Sequence, residues 1–541
     1  MKFSKHGYIA AIKKHFQLVT TICLVMITSI VSLVYIVKTV QITPLGFPFD
    51  DSWIHAVFAR NLIEQKVFSF NPPIPSHGTT SLLWVILLTL IYGITGKIAF
   101  SSLFIGSMSL VMLVIGTHQL SLVLYPVHWK NYTYAPALLI GTTGLLQFHA
   151  LSGLETILFL ALGIWSIVTF LKEKHLLASI LLGLTILTRI EGIVLLTLIT
   201  TFYVFQPHRK IKTLLAIVLP ALMLFLGEIV FNLAIAKSPL PSTFAGKRWL
   251  FVGNGQVTEV YKRYFQFWLS EVAKKVLFGG NSYILIFLFL FLAFLVSTVG
   301  ITILWKQKSP TTSMRLGFLL VISWGICHNL LYLIILPAAG NAGRYQLLNI
   351  WLFWFLFSTG LIGILQFKNV QSYKIPLLTL IGIFLITTQL ISVKFWQTTY
   401  TQSVNHINLV HRKAGEFIAT TLPENTTVAA FDIGAIGYFG KRNILDLGCL
   451  IGQKGCETNL INKTMSAYIL EKQPSYLALP EGPEFNDFLE LKKDHLFQES
   501  IMLTQLNTWS INIDTHFEAT SNAWPRITLY QITYKQPQLT K

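Results

Sequence analysis

The chain has 541 residues, 53% of them hydrophobic and 12% charged, with a net charge of +18 and a mean hydropathy of +0.60. A soluble domain carries roughly twice that share of charged residues, so the composition is that of a polytopic membrane protein. The basic excess is confined: residues 1–395 hold 29 Lys/Arg against 9 Asp/Glu, whereas residues 396–541 hold 12 against 14. Charge sorted in this way belongs to membrane loops, where orientation and anionic headgroups account for it, and argues against a nucleic-acid partner.

In chain order, Lys2, Lys5, Lys13 and Lys14 precede an apolar run at about 17–37. No small-residue cleavage site follows, so the run reads as an anchor with its amino terminus in the cytoplasm. Asp50 and Asp51 then emerge on the outer side. Residues 51–66 place Trp53, Ile54, Val57, Phe58 and Leu62 near helical spacing, with His55, Arg60 and Glu64 among them, which predicts an interfacial amphipathic helix. A shorter run at 81–95 is predicted to lie at the interface rather than to cross.

Spans are then expected at 100–124, 133–149 and 156–171. The run 176–205 is interrupted by Thr188-Arg189-Ile190-Glu191-Gly192. Basic flanks on both sides of it predict two half-spans meeting at Arg189, and charges at such a break are functional candidates. Further spans are expected at 213–235, 282–304, 316–336, 347–365 and 376–393. The total is about eleven crossings, including the two half-spans. This parity puts six basic clusters inside and places Asp50, Asp51, Glu155, Arg189, Glu191, Lys247 and Arg344 together outside.

The predicted fold is therefore a polytopic α-helical membrane domain, 1–395, with outer juxtamembrane helices, followed by an α/β soluble domain, 396–541. In the latter, His411 to Thr420 reads as a helix; Thr427–Phe431, Tyr476–Leu479 and Ile527–Tyr530 read as strands. Four cysteines are too few for a disulfide framework; Cys449 and Cys456 could pair if the tail is exported, and a free-thiol state fits the sequence equally.

An adjacent carboxylate pair is either a helix cap or a site in which one group takes a proton from a hydroxyl and the other binds a cation. Arg344, Lys247 and Arg248 read either as interfacial snorkelling cations or as phosphate ligands. Arg189 and Glu191 read either as an internal ion pair or as a substrate contact. His55, His77 and His149 lack the spacing of a zinc site, and no nucleophile elbow is present.

Together these pieces resemble a known family. Asp50-Asp51-Ser52-Trp53, Ala59-Arg60-Asn61-Leu62 and Phe70-Asn71-Pro72 resemble the first outer loop of superfamily C (GT-C) glycosyltransferases. The subgroup is that of the bacterial terminal arabinofuranosyltransferases, which act on polyprenyl-phosphate sugars. Leu151–Thr156, Leu187–Gly192, Leu240–Lys247, Gly343-Arg344-Tyr345 and Phe431–Tyr438 resemble its later motifs in the same order. Three departures, His77-Gly78-Thr79-Thr80, Ile190 and Ser242, bear on the sugar and acceptor more than on the reaction class.

The resemblance implies inverting transfer from a polyprenyl-phosphate sugar to a cell-envelope acceptor at the outer, periplasmic side of the inner membrane. It makes Asp50 the general base, with Asp51 assisting or holding a divalent cation (Mg, Mn or Ca). Arg344 and Lys247, joined by Arg60 and Arg189, would hold the donor phosphate. His55, His77, Glu155, Glu191, Trp53 and Tyr345 would line or support the substrate. A transporter or lipid-sugar flippase is the alternative, favoured only if ionisable groups sat at the midplane of inverted repeats.

Overall fold

The computed structural model describes the chain apart from residues 1–4, 208, 240, 244–260, 263–282, 306–311, 339, 367, 482–490, 492–493, 512–524 and 536–541. Lys247 and Arg248 lie outside the described residues. The membrane part is helical: α1 (Lys5–Val40), α2 (Asp50–Glu64), α3 (Leu82–Thr95), α4 (Ile98–Leu124), α5 (Tyr134–Thr142), α6 (Gly144–Ala150), α7 (Thr156–Leu171), α8 (His175–Thr188), α9 (Gly192–Val204), α10 (Ile211–Ala236), α11 (Tyr283–Trp305), α12 (Thr312–Ile335), α13 (Leu347–Ile364) and α14 (Lys374–Ile407). Six helices among the described residues are long and apolar enough to cross a membrane. The shorter apolar helices α7, α8 and α9 stand with them. The expected interruption of the 176–205 run is present: Arg189 has extended backbone, φ −154°, between α8 and α9.

α2 and α3 run side by side. Thr79, just before α3, meets His55 of α2 (2.7 Å), and near the far end of α3 Tyr92 donates to Glu64 (3.2 Å). α3 starts under a Ser81 cap and stops after 14 residues at Gly96 in the left-handed region, φ +64°. At the far end of α7, Lys172 donates to Gln119 (2.8 Å).

α14 passes without interruption through the expected boundary at 395/396. With the following π turn (Asn408–Arg412) and α15 (Lys413–Thr421) it forms a helical stretch of 48 residues. At 1.5 Å per residue that is about 70 Å, more than twice a hydrocarbon core, so its distal half stands clear of the bilayer and carries the tail. The tail folds around a five-stranded sheet in the order β2-β1-β3-β5-β4. Its strands are β1 (Thr427–Ala430), β2 (Asn443–Asp446), β3 (Tyr476–Pro480), β4 (Ile501–Ser510) and β5 (Arg526–Tyr534). The first three are mutually parallel and the last two join antiparallel.

Alternating side chains divide the sheet between two cores. Val428, Ala430, Ile444 and Ala478 face α2 and its loop, packing with Ile54, Val57, Phe58 and Phe70. Ala429, Leu445 and Leu477 face a second cluster with Met465, Tyr468 and Phe497. Cys449 and Cys456 form a disulfide beside it. The apolar face of the amphipathic α2 is thus buried against the tail as well as against the membrane helices.

Candidate functional site

Both carboxylates of the Asp pair sit in the first turn of α2, where the helix dipole favours negative charge. Their side chains diverge. Asp50 reaches into the tail, its Oδ2 accepting from the Gly434 amide (2.7 Å) and its Oδ1 from the Ala435 amide (2.8 Å). These amides open α16 (Gly434–Gly440), and a Cβ at residue 434 would lie 2.0 Å from the Asp50 carbonyl oxygen; only glycine permits the approach. Next to it, Asp432 accepts from His411 Nε2 (3.0 Å). Removal from water raises the Asp50 carboxyl to about 6; the His411 cation opposes that rise, the Asp432 charge adds to it, and the two amides oppose it.

Asp51 turns the other way, towards Arg344, whose Nη2 donates to its Oδ2 (3.1 Å). The Arg344 side chain is buried and that of Asp51 is about one quarter exposed. The same nitrogen donates to the Tyr345 hydroxyl (3.0 Å), while Arg344 Nε is buried with no hydrogen-bond partner among the described residues. The Tyr345 ring lies 5.0 Å from the Arg344 guanidinium and 5.1 Å from that of Arg189.

Arg189, at the break between α8 and α9, donates to Glu155 Oε1 (2.6 Å), to Glu191 Oε1 (2.7 Å) and to the Tyr332 hydroxyl (2.8 Å). Tyr332 in turn donates to Glu191. Glu155 Oε2 faces His55 Nε2 at 3.6 Å. The preceding Gly153, φ +84°, lets its turn press on Phe47 and Ser52, where a Cβ would meet atoms at 2.7 and 2.9 Å, and Ser52 donates to the Ser152 carbonyl (2.7 Å). Asp51, His55, Glu155, Arg189, Glu191, Arg344 and Tyr345 therefore form one network assembled from α2, the α6–α7 turn, the α8–α9 break and the segment before α13.

Four expected members stand apart from it: Asp50, held by the tail amides, and Arg60, His77 and Trp53. Arg60 spans the seam between α2 and the tail: Nη1 donates to the Tyr438 carbonyl and Nε to Asn61 (3.0 Å), with the guanidinium over the Tyr438 ring. His77 is buried, stacked on Phe68 with Phe231 at its edge, and neither ring nitrogen has a partner among the described residues; burial lowers it to about 4, so the ring is neutral. Trp53 is likewise a packing residue, against Phe47, Tyr438 and Phe439.

No group of three or more His, Cys, Asp or Glu able to hold a metal stands together among the described residues, and the charge of Asp51 is balanced by Arg344.

The network borders two spaces. A narrow cleft is lined by Asp51, His55, Arg344, Gly78 and, from the tail, Leu450. A larger cavity of about 340 Å³ is lined by Arg189, Glu191, Tyr332 and Tyr345 and by apolar side chains of α9, α10 and α12. Thr80 and Thr243 line both. Tyr332, His411 and Asp432 were not among the residues expected at a site. The Phe431–Tyr438 motif was the only signal for Asp432, and nothing local marked the other two.

The helical bundle with its short helices and sheet-bearing tail shares its fold with solved membrane proteins. Among solved structures, the chain is similar to the Archaeoglobus fulgidus oligosaccharyltransferase in its apo form, with a TM-score of 0.57 and 12% identity over 87% of this chain and 70% of that one. The oligosaccharyltransferase AglB of the same organism, in complex with an inhibitory peptide and a dolichol-phosphate, gives 0.56 and 13% over 86% and 69%. ArnT from Cupriavidus metallidurans, bound to undecaprenyl phosphate, gives 0.50 and 12% over 94% and 98%. Residues 396–530 match a family model described as a domain of unknown function, DUF8728. No curated protein sequence matches the chain.

Proposed function

We propose that this protein is a membrane glycosyltransferase that moves a sugar from a polyprenyl-phosphate donor to a hydroxyl of a cell-envelope acceptor, with inversion, at the outer face of the inner membrane. The observation that carries this is the junction of the cavity with the ionic network: an apolar chamber among membrane helices ends at Arg189 and Tyr345, and Arg344 with an unpartnered buried Nε lies beside it. That is what an amphiphile with an anionic head requires. The fold neighbours bind dolichol-phosphate and undecaprenyl phosphate. The motifs make arabinofuranose the first candidate sugar.

In this proposal the isoprenoid enters along the apolar side chains of α9 and α12, the phosphate meets Arg344 and Arg189, and the sugar takes the part of the cavity walled by α10. Asp50 takes the proton of the acceptor hydroxyl as its oxygen bonds to the anomeric carbon. The sugar–phosphate bond breaks, and the departing lipid phosphate is stabilised by the guanidinium groups. Each oxygen of Asp50 accepts one amide and keeps a further lone pair for that proton. The Cys449–Cys456 disulfide supports an oxidising, exported side for the tail. One assay tests the reaction: transfer from undecaprenyl-phosphate-linked arabinofuranose to an envelope glycan by the purified chain. Asp50→Asn is expected to lower kcat by about 10²–10⁴ without loss of fold; transfer at the wild-type rate would remove the base.

A further inference from the structure

Glu228 and Asn232 take no part in the network above. They lie one turn apart on α10, 9% and 2% exposed, and therefore on one helix face; both line the cavity of about 340 Å³. The Asn232 amide nitrogen donates to the Pro239 carbonyl (3.1 Å), which fixes the orientation of the amide. Its Oδ1 and the Oε2 of Glu228 are buried with no partner among the described residues. Phe225, Ile229, Leu331 and Ile335, which line the same cavity, offer no side-chain donor. Buried polar atoms in apolar surroundings are costly when unpaired, and an ionisable side chain inside a membrane helix marks a functional wall.

Asn232 Oδ1 accepts, and the Glu228 carboxyl accepts, or donates when it carries its proton, so the ligand that suits both is one that donates and accepts, as a hydroxyl does. A phosphate is anionic and rich in acceptors; it belongs with Arg189 and Arg344. A neutral polyol fits. We infer that Glu228 and Asn232 form a hydroxyl-recognising wall that reads the sugar carried by the lipid donor. This rests on the donor reading above and extends it to two residues of α10.

The test uses the full chain in lipid nanodiscs and three probes: undecaprenyl phosphate, and the same lipid phosphate carrying arabinofuranose or glucose. Relative affinities come from competition by native mass spectrometry. The wild type is expected to hold at least one glycosylated lipid about tenfold tighter than the bare one, the worth of one or two hydrogen bonds. Glu228→Leu and Asn232→Leu are expected to erase that gain while holding bare undecaprenyl phosphate as the wild type does. Glu228→Gln, which keeps an acceptor, retains part of it. A sugar preference unchanged in both leucine variants, no preference in the wild type, or an equal loss of bare lipid each overturns the inference. A wild type that binds none of the three overturns the donor reading itself.

Discussion

Asp50 and Asp51 are adjacent in sequence, yet they face different halves of the molecule. Asp50 is held by two tail amides and lifted to about 6; Asp51 is held by a guanidinium from 293 residues away. A base must be ionised to accept a proton, so kcat/KM is expected to fall as pH drops through about 6 and to level off above it. A pH profile of transfer checks this; a rate independent of pH between 5 and 7 contradicts it. Arg344 and Arg60 differ as sharply. Arg344→Gln is expected to weaken the affinity for undecaprenyl phosphate about tenfold or more, the loss of a charged hydrogen-bonding partner. Arg60→Gln is expected to leave that affinity unchanged and to lower Tm, because the Arg60 guanidinium ties α2 to Tyr438. Isothermal titration and thermal unfolding separate the two.

Among the elements, α16 is the one whose position the site needs most. It is only seven residues long, and its amino-terminal amides are the ones that grip Asp50. Gly434→Ala puts a methyl group 2.0 Å from the Asp50 carbonyl, so α16 or the start of α2 must move. Transfer is expected to drop at least tenfold, since a shift of about 1 Å can cost far more than that, while Tm falls only modestly. Wild-type kcat in this variant would mean that the grip on Asp50 is not used. Most of the helices were legible in the sequence from apolar length and basic flanks, and the charged break at Arg189 predicts two half-helices, but the single span expected at 133–149 is two short helices, α5 and α6, and the one expected at 376–393 runs on to Ile407. Strands β2 and β4 were not legible, because their short or partly exposed patterns gain their register only from the neighbours β1 and β5.

Across the whole molecule, the gathering of Asp51, Glu155, Arg189, Glu191 and Arg344 follows from topology: alternating spans bring every second loop to the same end, whatever the separation in sequence. That logic assigns a residue to an end of the bundle but not to a network. It therefore could not distinguish Arg60, which faces the tail, from Arg344, which faces the narrow cleft. Nor could it reveal Tyr332, an uncharged residue inside an apolar helix, or His411, whose partner Asp432 is brought to it only by the fold of the tail. The tail and membrane part also share one core across α2, and the helix that joins them has no break at residue 396. Asp50 and the tail are thus expected to move as one body. The most direct measurement is a structure of the full chain with undecaprenyl phosphate. The isoprenoid is predicted in the cavity along α9 and α12, with its phosphate within hydrogen-bond distance of Arg344 Nε and close to Arg189. A phosphate bound away from both arginines, with the cavity empty of lipid, would contradict the account.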